Sequence, residues 1–242
     1  ECVANLAVID SDLRTAKEMA EYEHFYLGWS FDFRGRMYPV SHFNYHRDDH
    51  VKALFLFARG KKLTEDSEGW LYIHLANTGD FNKISKKSLD ERIEWVQDNH
   101  NQIMSVAEDY RSTFDYWSTA DKPFQFLAWC YEMSALAKQG WGYHTRLPVS
   151  ADGSCNGLQH LSAILRDEVG GRATNLVPSD IPQDIYTQVA EQAIQRIQAE
   201  DTEIGRKCLE FGIDRKLAKR PVMIVPYSGT KHACRTSIEE AI

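Results

Sequence analysis

Arg215, Lys219, Met223 and Tyr227 recur at four-residue steps near the end of the sequence. On a helix this spacing lines them along one face. Two cations, a soft apolar group and a phenol on one stripe suit a polyphosphate at one end and a sugar or base at the other. Arginine offers phosphate a planar fork and lysine a compact point charge, while a tyrosine presents a flat ring and a hydroxyl. Arg220 stands beside the stripe and could assist. The same spacing also describes the solvated basic face of an ordinary amphipathic helix. Pro221 counts against a regular helix, because an interior proline removes a backbone hydrogen bond and clashes with the turn before it. Propensity therefore predicts a break near Arg220, with Pro226 as a second interruption.

Asp152 opens a second segment, Asp-Gly-Ser-Cys-Asn-Gly. A carboxylate at a strand end, beside the exposed carbonyl of Gly153, is a ligand pair for a hard divalent cation such as magnesium. That ion takes one or two protein carboxylates and completes its shell with phosphate oxygens and water. Asp-Gly is equally a common turn dipeptide. Gln159 and His160 can be polar groups that hydrogen-bond such a turn, and Cys155 a small filler, since magnesium prefers oxygen. A third segment, Asp32-Phe33-Arg34-Gly35-Arg36-Met37-Tyr38, sets two arginines around a glycine among aromatic rings. It suits phosphate-backbone contact with rings for stacking, or else it is a loop with surface arginines.

The elements that must carry these groups follow from patterning. Helices are predicted over 12–26, 66–77, 89–107 and 124–139, the third with Ile93, Val96, Ile103 and Val106 on its buried stripe. A short strand and turn fits 36–44. Pro148, Val149 and Ala151 predict a strand running into Asp152, with a helix from Leu158. Ser179 as cap and Pro182 in the first turn predict the start of the next helix, whose apolar face runs through Ile185, Val189, Ala193, Ile194 and Ile197. No linker interrupts the chain, which reads as one continuous unit with two subregions.

Composition sets the outer limits. The 242 residues are 43% hydrophobic and 26% charged, ordinary for a soluble globular protein, and no apolar run is long enough for a membrane span. Five scattered cysteines without a CxxC pair argue against a zinc site and fit reduced thiols. A net charge of −7 weighs against nucleic-acid partners, although Arg206, Lys207, Arg215, Lys216, Lys219 and Arg220 cluster late. The histidines form no metal spacing. The start shows neither an initiator methionine nor a secretory signal, so the sequence is read as a piece of something longer.

Three stretches taken together, DFRGRMYPVSHFN, PVSADGSCNGLQHLSAILRDEVGGRATNLVPSDIPQDIYTQVA and IDRKLAKRPVMIVPYSG, resemble the single-subunit RNA polymerases of bacteriophages, mitochondria and chloroplasts. The likeness runs from about Trp29 to the end, with Asp-Gly-Ser-Cys-Asn-Gly-Leu-Gln-His its most specific part. The stripe is shared more widely, with related DNA polymerases.

The resemblance implies a mixed α/β, helix-rich fragment of a right-hand polymerase. Residues 1–28 would end a preceding helical, thumb-side region, 29–180 would be palm and 181–242 the start of the fingers. It implies Asp152 as the first of two aspartates binding a catalytic magnesium pair, helped by the Gly153 carbonyl. Lys219 would be the essential lysine at the incoming triphosphate and a candidate proton donor. Arg215 and Arg220 would be further phosphate contacts, Met223 would sit near the templating base, and Tyr227 would help select ribose. Tyr186 would lie close to the nucleotide, Arg34 and Arg36 close to template or primer, and Lys83 would match a weaker phosphate position.

The implied partners are a DNA template, nascent RNA, ribonucleoside triphosphates and the remainder of the polymerase chain, with no membrane. The implied compartment is the cytoplasm of a phage-infected bacterium rather than an organelle matrix, on the phage-like run Arg166–Arg172. The sequence also departs from the family. Ser228 and then Gly229 follow the stripe tyrosine where the family places glycine at once, Ile224 follows Met223 where threonine or proline is usual, and Pro221 replaces a polar residue. The family's second catalytic aspartate lies in a His-Asp-Ser segment, and none occurs here. The isolated 242 residues are therefore expected to polymerise little or not at all and to expose apolar surface. A related DNA polymerase and a non-catalytic nucleic-acid- or nucleotide-binding module are the competing readings.

Overall fold

The computed structural model describes residues 2–140 and 142–241, with side chains from Leu6 onward, and packs as two units, Glu1–Ser150 and Ala151–Ile242. The fold is helix-rich and mixed α/β. Its described strands are short and antiparallel, in two two-stranded pairs.

In the first unit α1 spans Cys2–Met19, and stops short of the predicted residue 26. Glu21 and Glu23 follow it, and negative charge at a helix C-terminus opposes the macrodipole. Turning the chain there also lets Phe25 reach Phe55 and Leu27 join a small core of Phe43, Val51 and Phe55. Buried Asp12 anchors α1 by pairing with Arg47 at 2.9 Å.

Strands β1 (Trp29–Phe31) and β2 (Met37–Pro39) form a hairpin with Phe31 opposite Met37, and α2 (Asp49–Lys52) is a single turn. Strand β3 (Lys61–Lys62) precedes α3 (Glu65–Gly79), which is opened by a capping box between Thr64 and Ser67. Another capping box, Ser88 with Glu91, opens α4 (Leu89–Asp98).

The single helix predicted over 89–107 is two, α4 and α5 (His100–Glu108). At the joint, the Asn99 amide donates to the Trp95 carbonyl at 2.7 Å, a side chain competing with the backbone ladder. After α6 (Phe114–Trp117), helix α7 (Pro123–Gln139) begins at its proline as expected. Leu75, Ile103, Val106, Phe126 and Trp129 are almost fully buried where α3, α5 and α7 pack. Each contributes about 1.5–3 kcal/mol through burial. Strand β4 (His144–Thr145) pairs with β3.

His74 lies in this core with its ring 4.8 Å from that of Trp129 and its Nε2 without a hydrogen-bond partner. Burial, with Lys122 nearby, lowers its pKa to about 4. The folded unit therefore binds this proton less readily than the unfolded chain, and stability is lost as pH falls from 6.5 towards 4. Urea unfolding at pH 7 and pH 5 should differ by about 1–2 kcal/mol more in wild type than in His74→Leu. Equal differences would remove His74 as the cause.

In the second unit six helices follow one another: α8 (Asn156–Leu165), α9 (Glu168–Ala173), α10 (Ile185–Glu200), α11 (Glu203–Phe211), α12 (Arg215–Ile224) and α13 (Lys231–Glu239). Helix α12 lies between α10 and α13. Tyr186, Ala190 and Val222 are buried there, but Ile164, Val169 and Ile204 remain more than three-quarters exposed. This unit therefore has a thin core and much apolar surface.

Candidate functional site

The strand expected to run into Asp152 does not form. Residues 146–153 have no regular secondary structure, and β4 ends at Thr145. Pro148 has no N–H to give a ladder, and among the described residues no strand lies alongside to pair. The turn itself is built as its composition suggests. One Asp152 oxygen accepts the Gly153 N–H at 2.8 Å, and the carboxylate is exposed. Cys155 takes a left-handed conformation with φ 56° at the cap of α8. The Gln159 amide reaches the Thr174 carbonyl at 2.6 Å, and its oxygen lies 3.0 Å from where a Cβ on Gly153 would stand, so Gln159 packs against the turn. His160 points to solvent.

Among the described residues no three His, Cys, Asp or Glu side chains gather into a metal cage. The donor set is one exposed carboxylate with an adjoining backbone carbonyl. It contains oxygen only, and the carboxylate supplies no more than one of the one or two that magnesium takes from protein. It fits that ion as part of a coordination shell.

The stripe does not break at Arg220. Helix α12 continues through Pro221 to Ile224, and a 3₁₀ turn, Val225–Tyr227, follows. The Asp214 carboxylate caps α12 by accepting the Leu217 N–H at 2.9 Å, and Val222 anchors its far end in the core. Tertiary packing thus outweighs the missing proline hydrogen bond. Arg215, Lys219, Met223 and Tyr227 are all exposed, whereas Leu217, Ala218, Val222 and Ile224 face inward. The last step of the stripe enters the 3₁₀ turn, so its spacing is not purely α-helical. Lys219 and Met223 line a shallow groove with Lys216, Arg220, Ser237 and Glu240. Arg220 pairs with Glu240 across it.

The stripe ends against the aspartate turn. A Cβ on Gly157, in the first turn of α8, would lie 3.2 Å from the Tyr227 hydroxyl and 3.1 Å from Pro226. Glycine is needed there for close approach rather than for an unusual φ. Beyond Tyr227, Ser228 is left-handed at φ 62°, and a Cβ on Gly229 would fall 2.8 Å from the Ile224 carbonyl oxygen. Ser228 thus occupies the conformation that glycine adopts freely, and Gly229 supplies the close approach. Ser228→Gly should raise the thermal stability of this unit by about 0.5–1 kcal/mol, as relief of left-handed strain exceeds the added chain entropy. A lowered melting temperature would contradict this.

Sequence reasoning missed Asp184. It caps α10 in place of the expected Ser179, accepting the Tyr186 N–H at 3.2 Å and the Thr187 hydroxyl at 2.9 Å. It also accepts from Arg215 Nε at 2.5 Å. Burial acts to raise its pKa, but Arg215 and Thr187 outweigh that and hold the carboxyl below its ordinary value. The Arg215 guanidinium lies 5.2 Å from the centre of the Tyr186 ring. Tyr186 is buried, and burial followed by the neighbouring Cys155 thiol raises its pKa. The available signal was an Asp directly before the periodic apolar run at Ile185.

In the first unit the Arg34–Arg36 turn closes the β1–β2 hairpin. Asp32 accepts the backbone N–H groups of Arg34 and Arg36 at 2.8 and 2.9 Å, and Gly35 takes φ 78°. Hydrogen bonds, first that from the Arg36 backbone, lower the Asp32 pKa. Arg34 is drawn back onto Asp32 at 3.1 Å and over the Phe33 ring, whereas Arg36 is bound only through its backbone. Lys83 sits at φ 62° in a 3₁₀ turn, 4.0 Å from Asp80.

The sequence profile of the DNA-dependent RNA polymerase family matches residues 61–242. The chain belongs to this family. Among relatives of this polymerase segment, T7 RNA polymerase of Escherichia phage T7 is 35% identical over 94% of the chain and 28% of its own length. The mitochondrial DNA-directed RNA polymerase of Homo sapiens is 38% identical over 90% of the chain and 18% of its own length. The chloroplastic/mitochondrial DNA-directed RNA polymerase 2B of Nicotiana tabacum is 35% identical over 97% of the chain and 24% of its own length. The segment thus spans less than a third of each of these relatives.

Proposed function

We propose that this segment supplies the first metal-binding carboxylate and the nucleotide-facing helix of a DNA-directed RNA polymerase. The observation that carries this reading is the approach of Tyr227, at the end of the exposed stripe, to Gly157 in the helix that follows Asp152. That approach brings the end of a phosphate-binding stripe to the base of a metal-binding turn within one compact unit. In functional terms residues 1–28 end a thumb-side region, 29–180 form palm and 181–242 begin the fingers.

The reaction joins the RNA 3′-hydroxyl oxygen to the α-phosphorus of a ribonucleoside triphosphate. The bond to the bridging oxygen breaks, and pyrophosphate leaves. Asp152 and the Gly153 carbonyl, with ligands from the rest of the polymerase, would hold magnesium, which when bound as a pair of ions would supply Lewis-acid stabilisation of the attacking and leaving oxygens. The second catalytic aspartate belongs to that remainder. Lys219 holds the triphosphate, stabilises charge on the departing oxygens and can give them a proton. Arg215 and Arg220 hold the outer phosphates, so that much of the barrier is lowered by placement and fixed charge. Met223 borders the templating base, Tyr186 supports the nucleotide site, and Arg34 and Arg36 hold template or primer, with Lys83 a further phosphate contact.

Tyr227 discriminates ribose from deoxyribose through its hydroxyl. In the complete polymerase Tyr227→Phe should lower the ratio of ribonucleotide to deoxyribonucleotide incorporation, measured as relative kcat/KM, by roughly tenfold or more. An unchanged ratio would remove Tyr227 from this role. The related DNA polymerase reading is disfavoured by the relatives, which are named as RNA polymerases. The compartment follows from the source. The phage reading, in the cytoplasm of an infected bacterium, rests on the Arg166–Arg172 segment, while phage and mitochondrial relatives match at similar identity.

A further inference from the structure

We propose that Asp184 is a positioning residue for nucleotide binding, holding Arg215 by its Nε so that both terminal amino groups are presented to phosphate. The inference rests on the reading of Arg215 as a triphosphate contact. Its physical basis is the geometry of the guanidinium. Arginine has five donors in a rigid plane, and a carboxylate that takes only Nε fixes that plane while leaving the terminal nitrogens free. Asp184 Oδ2 lies 2.5 Å from Arg215 Nε, and among the described residues the terminal nitrogens of Arg215 make no hydrogen bond. The Tyr186 ring, 5.2 Å from the guanidinium carbon, supports it from one side.

Asp184 is itself tightly held. Its oxygens take the Tyr186 N–H and the Thr187 hydroxyl. The preceding residue, Gln183, is gripped by Asn175, which accepts the Gln183 N–H at 2.7 Å and donates to its carbonyl at 2.8 Å. The same Asn175 amide donates to Ser154 Oγ at 3.0 Å, two residues beyond Asp152. Hydrogen bonds from Ser154 to Asn175, from Asn175 to Gln183 and from Asp184 to Arg215, joined by the Gln183–Asp184 peptide bond, therefore link the Asp152 turn to Arg215. Through this link, the first residue of α12 is indexed to the turn that carries the metal-binding carboxylate. A phosphate group held at Arg215 is placed relative to Asp152 without direct contact between the two residues.

The test is steady-state incorporation of ribonucleoside triphosphates by the complete polymerase carrying Asp184→Asn, Asp184→Glu, Arg215→Ala or the Asp184→Asn/Arg215→Ala pair. Asparagine is as good a helix cap as aspartate, so α10 should remain in place, which the melting temperature checks. Asp184→Asn should raise KM for the triphosphate about tenfold, in the manner of other lost orienting partners. Its kcat should stay within about twofold, since charge on the leaving group is met by Lys219. Asp184→Glu should recover part of the loss. In the Arg215→Ala background Asp184→Asn should add nothing to KM. An unchanged or lower KM in Asp184→Asn would overturn the inference, the latter because Asp184 would then be competing with the nucleotide for Arg215. A KM effect that persists in the Arg215→Ala background would overturn it as well. If Arg215→Ala alone leaves KM unchanged, it is the phosphate role of Arg215 that fails.

Discussion

Lys219→Ala in the complete polymerase should reduce the rate of nucleotide addition by about 10²–10³-fold or more, with template affinity little changed. The lower bound is the loss seen when one fixed donor is withdrawn from developing negative charge. Loss of a positioned proton donor would add to it. Lys219 is exposed on the stripe, and no described carboxylate lies within ion-pair range of it, so its removal leaves no buried charge unpaired and costs the fold little. Arg215 and Arg220, by contrast, each face a carboxylate. Single-turnover extension of a primed template under saturating nucleotide separates chemistry from binding, and a filter or anisotropy titration reports template affinity. Lys219→Arg keeps the charge but spreads it over a plane, and should fall between wild type and alanine. Near-normal addition by the alanine variant would sink the assignment of this residue.

Asp152→Asn should abolish magnesium-dependent addition almost completely while leaving the melting temperature within about a degree of wild type. The two side chains are the same size, and the asparagine oxygen can accept the Gly153 N–H as the carboxylate does at 2.8 Å. Because the group is exposed, little folding free energy depends on its charge. The expected loss is of a negative charge proposed to hold a hard cation. Titrating magnesium against the rate, and against nucleotide binding in the absence of turnover, distinguishes this from a general loss of structure. A non-catalytic nucleic-acid- or nucleotide-binding module would have no rate to titrate, and its nucleotide binding would not depend on Asp152. Retention of metal-dependent nucleotide binding by the asparagine variant would favour that reading.

The sequence was most legible where local signals and burial agree. Helices α3 and α7 lie close to their predicted spans because capping residues or proline mark their starts and apolar periodicity marks their inner faces. It was least legible where a distant partner decides. The strand towards Asp152 was inferred from Pro148, Val149 and Ala151, of which only the valine favours a strand, and a strand exists only with a neighbour to pair with. Pro221 was read as a break because the inward packing of Val222 and the Asp214 cap could not be weighed from spacing alone. The stripe and the Asp152 turn stood out as candidates because the chemistry proposed for them resides in residue type. Asp184 did not, because its partner Arg215 lies 31 residues on, and Ser179 with Pro182 offered a more familiar helix start.

The two residues after Tyr227 bear on how family membership is recognised. The resemblance places glycine at that point, and here Ser228 takes a left-handed backbone that glycine adopts freely. Ser228 stands at a left-handed φ of 62°, and the bare Cα that the Ile224 carbonyl requires stands one place along, at Gly229. A pattern that demands glycine immediately after the tyrosine would discard this chain. A pattern written in dihedral angles and Cβ clearances would retain it, since Ser228 supplies the left-handed angle and Gly229 the clearance.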